Sequence, residues 1–375
     1  MTGRSSTPPV TTSRARLARL REVASAAGVA SVVVTPGSDL RYLVGLGGSS
    51  FERLTVLVVP TDPDAGPTLV VPRLELAGMS DIPFDDLGIT VRGWVDEDDP
   101  YALALSAIAP GRVAVSDMTP VLHALRLRDA GAGDQVLAGP VLRELRMRKD
   151  ADELAELRRV GAAIDRVHAR VPEWLRAGRT EAEVAADIAD AIVEEGHATA
   201  EFVIVGSGPN GSSPHHGVSD RVIERGDLVV VDIGGPLDSG YCSDSTRTYA
   251  VGSPSEPDVA SSYAALQAAQ QAAVDSVRPG VTCEQVDRAA RAVLEEAGLA
   301  AHFIHRTGHG IGLDVHEEPY ITRGNDLRLE PGMTFSIEPG VYLEGRWGAR
   351  IEDIVAVTDD GVESFNNRPH DLLVV

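Results

Sequence analysis

Two acidic residues in the segment DLVVVDIGGPLDSGYCSDSTRTYAV are spaced so that they could act on one ligand. The segment has two β-rich runs around a turn of Pro, Asp, Ser and Gly, which predicts an antiparallel hairpin. If Asp232 and Asp244 face each other, the turn is centred on Asp238. Both positions are even-numbered, so both carboxylates would project from the same face of the sheet. Two carboxylates on one buried face repel each other unless a cation lies between them.

A second acidic pair repeats this arrangement in FSIEPGVYLEGRWGARIEDIVAV. Glu338 and Glu352 are again even-numbered and lie symmetrically about Gly345, so a second hairpin would add two carboxylates. Acidic residues in strands are commonly solvated on an exposed face, and this is the simpler interpretation of any one of the four. The apolar residues that flank each carboxylate on both sides favour burial instead.

Histidines are concentrated between the two hairpins, in HFIHRTGHGIGLDVHEEP. His305 and His309 have the i,i+4 spacing of a zinc-binding pair on a helix. Glycines at positions 308, 310 and 312 argue against a helix there. A lone histidine is more often structural than a ligand. His309, however, lies between two glycines and is expected to have an exposed backbone and little packing around it, which favours a site.

Four carboxylates and one imidazole form a set of mainly hard oxygen donors. A closed structural zinc site prefers Cys and His ligands, so this set does not fit one. It suits a centre of two Mn²⁺, Co²⁺ or Zn²⁺ ions. Ions about 3.5–4 Å apart stabilise charge on both the attacking and the leaving group, so the reaction class indicated is hydrolysis.

These motifs together resemble the creatinase/aminopeptidase P/prolidase family of metallopeptidases (M24), and most closely its bacterial Xaa-Pro dipeptidases. The resemblance covers nearly the whole chain and is carried by SGPNGSSPHHGVSDRVIERGDLVVVDIG, YCSDSTRT, HRTGHGIGLDVHE, PGMTFSIEPGVY and RIED. It implies an α/β (α+β) fold, with a small N-terminal creatinase-like domain and a C-terminal pita-bread catalytic domain. It also implies cleavage of Xaa-Pro dipeptides or, as in aminopeptidase P, of longer peptides with proline second.

Carried onto matching positions, the resemblance implies a set of metal ligands. Asp232 and Asp244 would bind one ion, Asp244, His309 and Glu338 would bind the second, and Glu352 would bridge the two. Glu338 would also handle the proton of the attacking water. The expected ions are Mn²⁺, with Co²⁺ or Zn²⁺ as alternatives.

The resemblance also implies roles for residues around the ligands. His316 resembles the histidine that stabilises the scissile carbonyl or its tetrahedral intermediate. His215 resembles the one that contacts the substrate near the leaving nitrogen, and the Pro-His pattern favours it over its neighbour His216. His305 and Arg350 match positions that line the substrate pocket and support the ligands. For Arg350, an equally good interpretation is the charged partner of a buried carboxylate.

The chain departs from the family pattern at two places. Asp232 and Asp244 are one residue further apart than is usual, so the turn around PLDS must absorb an insertion, for example as a bulge. Some dipeptidases place an arginine shortly after the His-Glu pair to hold the free carboxylate, whereas this chain has Pro319 and Tyr320 there. Tyr320 is therefore a candidate pocket residue, and Arg323 is the nearest substitute cation.

The elements that must position these residues divide into two domains. Residues 1–13 are polar and Pro-rich and are predicted to form a loose tail. Residues 14–145 alternate helical and strand signals, which predicts the α/β domain. Residues 146–375 form the predicted catalytic domain, which opens with long helical periodicity. Thr180 and Glu183 have the spacing of a capping box that begins a further helix.

Composition limits the possible partners. The chain has 375 residues, 43% hydrophobic and 24% charged, and a formal charge of -22, which opposes non-specific binding to nucleic acid or anionic lipid. No apolar run reaches the roughly 20 residues that span a bilayer. The polar N-terminus is unlike a signal peptide, and there are only two cysteines, so we expect a cytoplasmic protein.

Two other functional classes are compatible with this fold. One is a non-catalytic binding protein, whose mark would be loss of metal ligands. The other is a metal-free hydrolase of amidine or guanidino compounds, as in creatinase. The presence of all five ligand residues opposes both. Within the family the N-terminal domain covers the active site of a partner subunit, so a homodimer is expected from the resemblance.

Overall fold

The computed structural model describes residues 7–375, and the chain divides into two units between Arg146 and Met147. Residues 1–6 of the predicted tail lie outside the described residues. The last part of that tail is not loose, because the first helix begins at Val10. The division lies next to the position at which helical periodicity predicts the domain boundary.

The first unit is the expected α/β domain. Its helices are α1 (Val10–Ala26), α2 (Ser38–Val44), α3 (Pro100–Leu105), α4 (Val121–Ala130) and α5 (Gly139–Arg146). Its strands are β1 (Ser31–Val34), β2 (Val56–Pro60), β3 (Thr68–Pro72), β4 (Thr90–Trp94), β5 (Val113–Val115) and β6 (Gln135–Leu137). Within the described part of this unit they form one mixed sheet in the order β4-β3-β2-β1-β5-β6. The Val-rich runs of β1, β2 and β3 are buried along their whole length, which is why they read as continuous apolar segments.

The second unit holds all the candidate site residues. Its helices are α6 (Ala151–Trp174), α7 (Glu181–Glu194), α8 (Val259–Ser276) and α9 (Cys283–Glu296). Its strands are β7 (Phe202–Ser207), β8 (Leu228–Pro236), β9 (Cys242–Ala250), β10 (Gly308–Gly310), β11 (Glu317–Ile321), β12 (Thr334–Ile337), β13 (Gly340–Leu343), β14 (Trp347–Arg350), β15 (Asp353–Val357), β16 (Val362–Ser364) and β17 (Leu373–Val374). They are arranged as sheets β17-β9-β8-β7, β11-β10-β12-β15-β16 and the hairpin β13-β14.

Side-chain caps decide where the helices of this unit begin. The predicted capping box is present, since the Thr180 hydroxyl accepts from the Glu183 backbone and the Glu183 carboxylate accepts from the Thr180 backbone. Asp150 and Glu153 make the same box at the start of α6. The long helical periodicity that opens the predicted catalytic domain belongs to α6, which begins at the Asp150 cap, whereas α5 ends before it at Arg146.

The helices cover the sheets through two apolar layers. Helices α6 and α7 pack against β7, β8 and β9, with Ile164, Ile188 and Val231 inaccessible to solvent. Helix α8 packs against β12, β13 and β14, and α9 packs against α8 and β11, with Leu266 and Phe335 in the shared apolar layer. The strand faces turned away from these layers carry the polar residues of the site.

Candidate active site

The first acidic pair lies on the β8–β9 hairpin, but the two residues are not directly opposite. Asp232 pairs with Thr246 and Asp244 with Gly234, so the turn is centred on Ser239 and not on Asp238. The register runs without a shift from Leu228 to Pro236, so the extra residue lies in the turn and not in a bulge of the ladder. Both residues are even-numbered, so their side chains still project from the same face of the sheet, where the two carboxylates lie diagonally.

The second acidic pair has the symmetry about Gly345 that the sequence predicts. Gly340 pairs with Arg350, and Ile337 pairs with Asp353 in the same register. Glu338 and Glu352 lie opposite each other in the gap between these two ladders. Gly345, at the tip of the hairpin, has φ +71°, a conformation that glycine adopts without strain.

Thr246 joins the two hairpins. It forms an isolated β-bridge with Glu352, whose backbone N–H donates to the Thr246 carbonyl at 3.1 Å. The Thr246 hydroxyl also donates to Glu352 Oε2 at 2.7 Å. Since Thr246 is the partner of Asp232, this bridge brings the four carboxylates into one place.

His309 lies on β10, so the glycines around it do exclude a helix. The expectation of an exposed backbone with little packing is wrong, because Gly308, His309 and Gly310 are all buried. A Cβ at Gly308 would lie 1.8 Å from the Ser336 carbonyl oxygen, and one at Gly310 would lie 2.3 Å from that of Glu318. The glycines are required because neighbouring backbone passes too close for any side chain.

The His309 ring is oriented toward the acidic residues. Its Nδ1 is 3.1 Å from the Gly310 carbonyl oxygen, so Nδ1 carries a proton and Nε2 is the ring atom available to a metal ion. Nε2 lies 3.2 Å from Glu338 Oε1 and 3.5 Å from Asp244 Oδ2. The Ser336 hydroxyl fixes both neighbours, since it accepts from the His309 backbone at 3.0 Å and donates to Glu338 at 3.0 Å.

The five predicted ligands and His316 converge in space. Their donor atoms form three overlapping groups, each with all atoms within 4.8 Å of one another: Asp232, Asp244 and Glu352; His309, Glu338 and Glu352; and Asp244, His309 and His316. Burial and then the neighbouring negative charges raise the pKa of Asp244 and Glu352 well above their ordinary values. Burial also opposes ionisation of Glu338, but the hydrogen bond and charge of His309 lower its pKa to about 2.

These donors fit a pair of divalent cations. Asp232 Oδ1 is buried and has no hydrogen-bond partner among the described residues. Asp244 is 4% exposed, and its Oδ2 atom lies 3.5 Å from His309 Nε2. Buried carboxylate oxygens left without donors are expensive unless a cation neutralises them. Asp232, Asp244, His309, Glu338 and Glu352 are therefore suited to hold metal.

Arg350 lies behind this cluster. Its guanidinium donates to Asp232 Oδ2 at 2.5 Å, to the Thr246 hydroxyl at 3.0 Å and to the Tyr342 hydroxyl at 2.7 Å. The residue is 2% exposed. These contacts match the interpretation of Arg350 as the charged partner of a buried carboxylate, and they leave no open face for a substrate carboxylate.

His305 is linked to Arg350 through Tyr342. The Nε2 atom of His305 is 2.9 Å from the Tyr342 hydroxyl, and Nδ1 is 2.7 Å from the Arg306 carbonyl oxygen. Burial lowers the pKa of His305 and raises that of Tyr342 to about 12. Both groups are therefore neutral hydrogen-bonding side chains at physiological pH. Tyr342 was not recognised from sequence, although it lies in the motif PGVY.

The three remaining histidines of the candidate site, His316, His215 and His216, have different surroundings. His316 is exposed as a whole residue, but its ring lies 4.0 Å, centre to centre, from that of His309. Partial desolvation of the ring and then the charge of His309 lower its pKa to about 4. His215 is exposed and is among the charges that act on His316. His216 instead points to Glu181, with Nε2 2.8 Å from Oε2. The two neighbours therefore have different surroundings, and the Pro-His register that favours His215 stays a prediction.

The arginine that lies near His316 is not the one expected from the sequence. Arg323 is exposed on the turn after β11. Tyr320 pairs with His309 across β10 and β11, and the guanidinium of Arg306 lies 4.4 Å from the centre of its ring. The Arg306 charge also reaches His316 and lowers its pKa. Arg306 was missed in the sequence, although it lies inside the motif HRTGHGIG.

Comparison with known proteins identifies the family. Residues 155–359 match metallopeptidase family M24, and residues 16–148 match the creatinase/prolidase N-terminal domain. The chain belongs to metallopeptidase family M24. This confirms the family resemblance and the two-part fold, and it makes the protein an enzyme of the metallopeptidase class.

Relatives of the M24 chain cover nearly its whole length. It is 60% identical over 362 residues to the probable dipeptidase PepE of Mycobacterium tuberculosis, which covers 96% of each chain. It is 34% identical over 348 residues to an Xaa-Pro dipeptidase of Lactobacillus helveticus, covering 90% of this chain and 92% of the relative. The crystal structure of dipeptidase PepE from Mycobacterium ulcerans superimposes with a TM-score of 0.93 at 60% identity, covering 98% and 99% of the two chains.

Among residues 7–375, no helix combines the length and the apolar character needed to cross a bilayer.

Proposed function

We propose that this M24 metallopeptidase is an Xaa-Pro dipeptidase with two divalent metal ions. The observation that carries the proposal is the convergence of Asp232, Asp244, His309, Glu338 and Glu352, with donor atoms in groups no wider than 4.8 Å. Mn²⁺ is the proposed ion, with Co²⁺ or Zn²⁺ as alternatives, because carboxylate oxygens predominate over the single imidazole. The names of the relatives support the dipeptidase activity.

The bound ions would supply an activated water and would polarise the scissile carbonyl. Glu338 is suited to accept the proton of that water, because its carboxylate lies beside His309 within the ligand cluster. It would pass the proton to the leaving nitrogen of proline. His309 and Ser336 hold the Glu338 carboxylate in place.

Two histidines are proposed to act on the substrate. His316 is neutral at physiological pH, since its pKa is lowered to about 4, and it can donate a hydrogen bond to the carbonyl oxygen as negative charge develops there. His215, an exposed residue close enough to His316 to influence its pKa, would contact the substrate near the leaving nitrogen. His305 would line the pocket through its contact with Tyr342.

The free carboxylate of a dipeptide needs a cation or several donors when it is desolvated. Arg350 is committed to Asp232, and Arg323 lies on an exposed turn. Arg306, which stacks on Tyr320 and acts on His316, is the arginine whose position best supports this role. A cation held at this place favours dipeptides over longer chains.

Substrate length is tested by comparing kcat/KM for Ala-Pro, Met-Pro and Gly-Pro with that for Ala-Pro-Ala. The proposal predicts a higher kcat/KM for the dipeptides. If tripeptides and longer peptides are cleaved faster than any dipeptide, the enzyme is an aminopeptidase P. Alanine at any one of the five ligand positions should abolish hydrolysis of all these peptides, because each change removes a donor to the metals.

The proposed assembly and location follow from the family resemblance and the composition. We expect a homodimer, which analytical ultracentrifugation of the full chain tests directly. We also expect the enzyme to act in the cytoplasm, on peptides released by other proteases.

A further inference from the structure

A second buried carboxylate, apart from the metal cluster, has an unusually complete set of hydrogen-bond donors. Glu181 is the first residue of α7 and is inaccessible to solvent, with 0% exposure. Its Oε1 atom accepts from the Ser207 backbone at 2.8 Å and from the Ser207 hydroxyl at 2.7 Å. Its Oε2 atom accepts from the Ser219 hydroxyl at 2.7 Å and contacts His216 Nε2 at 2.8 Å.

All of these partners belong to the segment 207–219, which runs from the end of β7 into the connection to β8 and carries His215. The Asn210 side chain completes the set, with Nδ2 3.1 Å from Oε1 and 3.2 Å from Oε2 of Glu181. The start of α7 holds the end of the segment through its backbone as well, since Ala182 N donates to the Ser219 carbonyl at 3.1 Å. One carboxylate therefore ties both ends and the middle of the segment 207–219 to a helix terminus.

The segment has a second attachment on its other side. Arg350 Nη1 donates to the Pro214 carbonyl at 3.3 Å, and Arg350 also holds Asp232. His215 thus follows a residue attached to the metal cluster and precedes one attached to Glu181. With both neighbours held, the direction of the His215 side chain is restricted from both sides.

We propose that Glu181 is a positioning residue that sets the direction of His215 through His216 and the segment 207–219. The inference rests on the proposed function, because it takes His215 to contact the substrate. A carboxylate is required at position 181 because every contact there comes from a group able to donate. A glutamine would turn its own N–H₂ group toward some of those donors and would open the segment. Misplacement of a reacting group by about 1 Å can cost roughly 10²-fold in rate.

The test is a double-mutant cycle in the full-length, Mn²⁺-loaded enzyme, measured as kcat and KM for Ala-Pro. Glu181→Gln should lower kcat about 10- to 10²-fold, with KM changed less than about twofold and metal content unchanged. In the His215→Ala background the same change should cost less than about twofold, because the group that Glu181 positions is already gone. Glu183→Gln is the matched control, since it alters the capping box of the same helix from an exposed position, and it should keep kcat within about twofold.

His216 provides a second route if Glu181→Gln does not fold. His216→Gln keeps an N–H donor toward Glu181 and should retain most of kcat, whereas His216→Ala should lose up to about tenfold. Equal losses from Glu181→Gln in the wild-type and His215→Ala backgrounds would overturn the inference. So would wild-type kcat in folded, metal-loaded Glu181→Gln, or equal activity of the two His216 variants. Failure of the unmodified enzyme to cleave Ala-Pro would instead overturn the proposed function.

Discussion

Asp244→Asn should remove activity and yet stabilise the metal-free protein. Asp244 is buried among Asp232 and Glu352, with donor atoms within 4.8 Å of one another. At that distance two unit charges repel by about 3 kcal/mol at an effective dielectric constant of about 20. Attraction to Arg350 offsets part of this repulsion. We therefore expect Asp244→Asn to raise the free energy of unfolding in EDTA by about 1–3 kcal/mol, or the melting temperature by about 2–10 °C.

The stability difference between Asp244→Asn and the metal-free wild type should depend on pH. Burial and the neighbouring carboxylates raise the pKa of Asp244 in the folded state. The folded protein therefore holds that proton more tightly than the unfolded chain does, and metal-free wild type loses stability as pH rises above about 4, the pKa of an unperturbed aspartate. Asparagine cannot ionise, so the advantage of the variant should grow with pH up to the raised pKa and shrink toward pH 5.

Differential scanning fluorimetry between pH 5 and 9, with EDTA or with Mn²⁺, measures both effects. Wild type should gain about 3 kcal/mol at a Mn²⁺ concentration 100 times its dissociation constant, and Asp244→Asn should gain much less. The reasoning is refuted if Asp244→Asn melts below wild type in EDTA across this pH range. That result would mean that the carboxylate is stabilised by the protein itself and not by a cation.

Three further predictions follow from the site. His316→Ala and His215→Ala should retain metal by elemental analysis but lose roughly 10²–10⁴-fold in kcat, and His216→Ala should lose less. A larger loss for His216→Ala than for His215→Ala would show that the family register is wrong. Arg306→Ala should raise KM for Ala-Pro about 10- to 10²-fold, because it removes a hydrogen bond to a charged group, and it should leave KM for Ala-Pro amide unchanged. An equal rise in KM for the amide would contradict carboxylate recognition. Lys149→Met removes one partner of the buried Lys149–Glu317 ion pair, whose atoms are 2.5 Å apart, and should lower the free energy of unfolding in urea by about 3–5 kcal/mol. A decrease below about 1 kcal/mol would argue against the burial of this pair.

Periodic features of the sequence predict the elements well. The Thr180 and Glu183 spacing gives the start of α7, and symmetry about Gly345 gives the register of the second hairpin. These features are local, because capping and turn geometry involve residues a few positions apart. The β8–β9 register was displaced by one residue at the turn, since a five-residue connection allows more than one pairing. The even numbering of both positions still predicted correctly that the two aspartates share one face of the sheet.

The non-local features were harder to predict. The glycines around His309 look like an open loop in sequence, but Gly308 lies against the backbone of Ser336, 28 positions away, and Gly310 lies against that of Glu318, 8 positions away. Arg306 could not be singled out, because its position over Tyr320 depends on the β10–β11 pairing. The partners of Glu181 lie 26 to 38 residues away. Such contacts have no periodic signal.

The most direct test of the two-metal centre is a metal titration of the chelator-treated enzyme, followed by elemental analysis and Ala-Pro hydrolysis on the same samples. Activity should be absent without metal and should return with Mn²⁺, reaching its maximum at two ions per chain. Alanine at Asp232 or Glu352 should reduce the bound metal and abolish the recovery. Full hydrolysis of Ala-Pro by protein shown to contain no metal would contradict the account.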